Sequence, residues 1–116
     1  VAREFQPRLK PAMPGSAALY RLLGLTKDVR STYDHMMLAL HDLGKADSGY
    51  QQRAIRAAVD FAAGTTWMCF TDSVLHAALG GHCALEQTFH LPIEAMTHPE
   101  RSPLRVLESL TGRRLV

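Results

Sequence analysis

Residues 82–91 alternate in register, with His82, Ala84, Glu86, Thr88 and His90 on one side of an extended chain and Cys83, Leu85, Gln87, Phe89 and Leu91 on the other. A period of two belongs to a strand, because a helix would scatter both sets around its circumference. Three shorter apolar runs precede it, at 55–61, 65–70 and 74–79. The breaks fall at Gly64, at Thr71-Asp72-Ser73 and at Gly80-Gly81, all suited to tight turns. The pattern predicts four successive antiparallel strands over 55–91, polar on one face and apolar on the other. Pro92 closes the last. So short a meander leaves open edges, which need a partner chain or the remainder of a barrel.

Upstream the period is helical. Residues 1–15 hold Pro7, Pro11 and Pro14 among basic residues and read as an extended arm. Ser16 can cap a helix whose Leu19, Leu22 and Leu23 share a face, with Gly24 as its stop. A second start follows at Thr26, and Val29, Tyr33, Met36, Met37, Leu40 and Leu43 form an amphipathic stripe that Gly44 should end. The helical part thus spans 16–48. Pro103 opens a last helix over 103–111, with Leu104, Leu107 and Leu110 in a stripe before Gly112. Helices, then strands, then one short helix define an α+β class rather than a parallel βαβ fold.

A length of 116 residues holds one domain, 1–116, and 47% apolar against 21% charged residues predicts a packed core. A formal charge of +2 gives no electrostatic footprint for nucleic acid. Cys69 and Cys83, both in apolar runs, predict core residues in a reducing, cytoplasmic setting rather than a disulfide scaffold. Trp67, Phe70 and Phe89 likewise read as packing. The chain begins at Val, so either processing or membership of a longer polypeptide is expected.

Chemistry has few candidates. Of six histidines, His76, His82 and His90 lie in the strand region, where histidines and carboxylates on neighbouring strands can form the 2-His-1-carboxylate set of non-haem iron oxygenases. His98-Pro99-Glu100 has the His-x-Glu form but lies in a proline-bounded turn. His41-Asp42 matches the metal-binding pair of HD-domain phosphohydrolases, yet the only earlier histidine is His35 on the same helix. There is no phosphate-binding loop and no nucleophile motif.

Several strings carry a resemblance. The runs Gly64 to Asp72, Val74 to Ala77, Leu85 to Pro92, Glu100 to Glu108 and Leu110 to Arg113, with, upstream, Tyr33 to Leu38, Leu40-His41-Asp42 and Lys45-Ala46-Asp47, resemble the C-terminal part of the Kdo hydroxylases, Kdo being 3-deoxy-D-manno-oct-2-ulosonic acid. The resemblance implies an Fe(II)- and 2-oxoglutarate-dependent dioxygenase that hydroxylates C3 of the Kdo sugar of lipid A. It implies a double-stranded β-helix, or jelly roll, of which this chain holds part. His76 matches the distal iron ligand. The His-x-Asp or His-x-Glu pair that completes such a site has no counterpart before residue 76, so the chain is expected to be inactive alone. Gln87, Thr88 and His90 are candidates to hold the 2-oxoglutarate carboxylate, while Arg101 and Arg105 are candidates for substrate or anion contact. The implied partners are a lipid-linked Kdo sugar, the rest of the polypeptide or a second copy, and, at the arginine-rich end, the periphery of the inner membrane. A non-catalytic module that completes its sheet with another chain is the alternative, with an HD phosphohydrolase behind it.

Overall fold

Ser31 shows how local chemistry starts the principal helix. Its hydroxyl accepts the Asp34 backbone N–H at 3.1 Å, and the Asp34 carboxylate accepts the Ser31 N–H at 3.1 Å, a reciprocal capping box. The computed structural model describes all 116 residues and holds five α-helices: α1 (Ala2–Phe5), α2 (Ser16–Leu22), α3 (Thr32–Ala46), α4 (Ser48–Arg53) and α5 (Pro103–Thr111). Single 3-10 turns occupy Gln6–Arg8, Ile93–Ala95 and Pro99–Arg101. No helix is long and apolar enough to cross a membrane.

The helix α3 runs through Gly44 rather than ending there, because Asp47 supplies the boundary. Its carboxylate accepts the Tyr50 N–H at 2.8 Å and so caps α4 directly after α3. Gly44 serves packing instead. A Cβ on it would stand 3.3 Å from Leu75 Cδ1 and 3.8 Å from Phe5 Cε2, so the missing side chain lets both approach the helix. At the other end of the chain, Ser102 caps α5, Pro103 occupies its first turn, and Gly112 ends it at φ 68°.

The core is Phe5, Met36, Leu40, Leu104, Leu107 and Leu115, where α1, α3, α5 and the C-terminal residues meet. Within the expected arm of 1–15, residues 2–8 are therefore helical and docked rather than extended. Phe5 is 1% exposed and meets Tyr50 edge-on at 5.1 Å. Arg8 pairs with Asp47 at 2.7 Å, and Arg53 with Glu4, which fastens this N-terminal segment to α4. Prolines at 7, 11 and 14 hid this, since they exclude a long helix and leave one helical turn possible.

The four expected strands are absent. The chain contains no strand and no sheet, so neither a partial double-stranded β-helix nor a jelly roll is formed within it, and the α+β class gives way to an all-helical body with a long irregular segment. Every residue from 55 to 92 is exposed. The backbone hydrogen bonds of residues 55–91 are two turn contacts, Thr65 N–H to Ala62 O and Ser73 N–H to Phe70 O. Alternation decides which side chains share a face, but a strand also needs a neighbour to receive its N–H groups, and this chain offers none. The consequence shows in size. The radius of gyration is 16.4 Å, against about 13 Å for a compact domain of similar length.

Candidate functional site

His76 lies in the exposed segment, its Nδ1 3.3 Å from the Val74 carbonyl oxygen. Two contacts fix the stretch just before it to α3. Tyr33 donates its hydroxyl to Asp72 at 2.9 Å, and Leu75 lies over Gly44. Tyr33 and Gly44 are eleven positions apart on one helix, so residues 72–75 are held at both ends against a rigid rod. Half-burial, then the hydrogen bond to Asp72 and the charges of Asp72 and Asp34, push the Tyr33 phenol well above its ordinary range, so it stays a donor at all physiological pH.

A second set of contacts steadies that rod. The Tyr33 backbone N–H donates to the Leu115 carbonyl at 3.3 Å. The Leu115 N–H donates to Glu108 at 3.0 Å, and Glu108 pairs with Arg105 at 2.6 Å. The Leu115 N–H, followed by Arg105, holds the Glu108 carboxyl below the usual carboxylate range. In the same manner the Tyr50 N–H and then Arg8 lower Asp47. Arg105 thus faces Glu108, whereas Arg101 is 78% exposed and only 3.8 Å from Glu100.

The remaining candidates are dispersed. Gln87, Thr88 and His90 are exposed in the irregular segment, as is His82, which stands at a bend. His41 and Asp42 meet each other at 3.1 Å on the outer side of α3, and His98 lies 3.4 Å from Glu100. No group of three or more His, Cys, Asp or Glu side chains comes close enough to hold a metal ion. These residues therefore do not by themselves fit an iron site, and an HD-type site is not assembled either. Cys69 and Cys83 are exposed, not core, and Trp67 stacks on Phe61 at 5.2 Å while remaining 51% exposed. The Tyr33–Asp72 and Gly44–Leu75 contacts were not read from the sequence. Gly44 carries the only signal for them, a glycine inside an otherwise good helical stripe.

This is a helical scaffold that presents one irregular, histidine-bearing segment. The family model for 3-deoxy-D-manno-oct-2-ulosonic acid (Kdo) hydroxylase matches residues 1–114, and the chain belongs to that family. Among solved structures it is similar to the Kdo hydroxylase KdoO, described as a non-heme Fe(II) alphaketoglutarate-dependent dioxygenase, in complex with alphaketoglutarate and Fe(III). It is equally similar to the cobalt(II) complex and to the apo form of KdoO. Each shares 50% sequence identity at a TM-score of 0.94, over 99% of this chain and 39% of the other. The chain thus spans about two fifths of those proteins. A comparison with curated proteins finds no match.

Proposed function

We propose that this chain is one part of an Fe(II)- and 2-oxoglutarate-dependent hydroxylase that acts at C3 of the Kdo sugar of lipid A, on the cytoplasmic side of the inner membrane. The observation that carries the reading is 50% identity with KdoO at a TM-score of 0.94 over 99% of this chain. When bound, iron with 2-oxoglutarate supplies the oxidising power for C–H hydroxylation. The role of the present residues is positional. His76 is one ligand of a site completed by residues outside these 116, and α3, through Tyr33 and Gly44, fixes the chain that leads to it. Gln87, Thr88 and His90 lie further along the same segment, as candidates for the cosubstrate carboxylate. Arg101, with its exposed guanidinium, is the freer of the two arginines for an anionic substrate.

The rest of the polypeptide has a second task, which the exposure of residues 55–92 supports: it covers them. The test is a pair of proteins. The natural polypeptide that carries this sequence should consume 2-oxoglutarate and hydroxylate Kdo-lipid A. Its His76→Ala variant should lose both turnover and stoichiometric Fe(II) binding while folding as before. The 116-residue chain alone should do neither. Undiminished iron binding and turnover by His76→Ala would remove the ligand assignment, and absence of any 2-oxoglutarate turnover by the natural polypeptide would remove the hydroxylase reading. If the natural polypeptide binds neither iron nor 2-oxoglutarate and instead pairs stably with a second copy, the non-catalytic module takes its place.

A further inference from the structure

Large apolar side chains stand in water on two parts of this molecule, and their charges differ. Residues 57–92 contain no lysine or arginine, and Asp60, Asp72 and Glu86 are their acids. Residues 10–30 are the reverse. Met13, Leu19, Leu22, Leu23, Leu25 and Val29 are all exposed, Leu22 to 83% and Met13 to 77%. Among them stand Lys10, Arg21, Lys27 and Arg30, with Asp28 as the one acid. None of these four cations enters an ion pair; the pairs of the chain are made by other arginines and two histidines. The helix α2 at the centre of this element buries no residue, and a shallow groove beside it is lined by Ala18, Arg21, Leu22 and Val29. The His35 ring nitrogen Nε2 meets the Lys10 carbonyl oxygen at 3.2 Å and ties the base of the element to α3.

Whatever covers this element must accept leucines and cations together. A protein interior would have to match four cations with acids or strip them of water, which is costly. The boundary of an anionic bilayer meets both demands, since leucines enter the acyl edge while lysine and arginine stems reach out to phosphates. We propose that residues 10–30 are a docking element for an anionic phospholipid surface. The proposal goes beyond the hydroxylase reading, because vesicle binding is measured without turnover, and it places the membrane contact on a different surface from Arg101 and Arg105.

The test is flotation of the natural polypeptide with vesicles of phosphatidylcholine alone or mixed with phosphatidylglycerol. It should float with the mixed vesicles only, and less so as salt rises. Lys27→Ala with Arg30→Ala should weaken partitioning about twenty-five-fold, at roughly a factor of five for each cation. Leu22→Glu with Leu25→Glu should abolish it, with an unchanged circular dichroism spectrum. Failure of the wild type to float, equal flotation on neutral vesicles, or flotation unaltered by the Lys27 and Arg30 substitutions overturns the proposal. Failure to float would assign the element to cover by the rest of the polypeptide, and hydroxylation of a soluble Kdo fragment by the same protein would leave the hydroxylase reading standing.

Discussion

The helical body and the segment 55–92 have similar appetites for burial and opposite outcomes. Phe5 at 1% and Leu107 at 1% exposure are sealed, while Trp67 at 51% and Phe89 at 77% remain in water. Both regions are rich in large apolar side chains. The difference lies in where their partners come from. A helix closes its own backbone hydrogen bonds and needs only a neighbour for one stripe, so α1, α3 and α5 can satisfy one another within 116 residues. An extended segment must obtain both backbone and side-chain partners from elsewhere. Only eight of the 116 residues are buried, all of them in the helical body, so the cooperative unit of this chain is that body.

The largest test of this contrast is Phe5→Ala, which removes the ring at the centre of the core and should cost about 3–5 kcal/mol, enough to unfold so small a body. The measurement is the urea midpoint of the helical circular dichroism signal. A loss below about 1 kcal/mol would mean that the body is not the cooperative unit. Acid comes next. Asp47 and Glu108 are both held below their ordinary range, so the stability they confer is present above the unfolded carboxylate pKa of about 4 and disappears as pH falls through their lower folded values. Combining Asp47→Asn with Glu108→Gln should flatten this acid limb in a pH-dependent melt.

Smaller effects sharpen the contrast. Ser31→Ala removes the cap of α3 and should cost about 1 kcal/mol by the same urea titration. Tyr33→Phe should cost about 1 kcal/mol or less and release residues 72–75, seen as faster amide exchange there with α3 unchanged. The Tyr33 phenol is raised in the folded state, so its contribution holds below the unfolded value of about 10 and falls as pH rises beyond it. Tyr33→Phe should therefore also remove the alkaline loss. The smallest effect is expected from Trp67→Ala in the isolated chain, within about 0.5 kcal/mol. A cost as large as that of Phe5→Ala would erase the distinction between the two regions.

The parts legible in the sequence are those whose signals are local. Pro103 and Gly112 bracket α5, and the strings from Tyr33 to Arg113 led to the hydroxylase family, to which the chain belongs. Parts that depend on distant residues were not legible. The alternation of His82 to Leu91 is real, but no sheet follows where no neighbour exists. Phe5 sits one position from a 3-10 turn and two from Pro7, which masks its place at the core. Gly44 looked like a helix stop because its use, admitting Leu75 and Phe5, is set by residues far away in sequence. His76 could be named from the resemblance, whereas the Tyr33–Asp72 bond that steadies its approach has no pattern to find.

The placement of the two thiols has a practical consequence. Cys69 and Cys83 are free, exposed and confined to the segment 55–92, and the helical body contains no cysteine. A thiol-reactive dye therefore marks one region alone, with no background from the other. In the isolated chain both sulfurs are open to such a reagent. Any polypeptide that closes over the segment would slow their labelling, so the two thiols report whether the segment is covered.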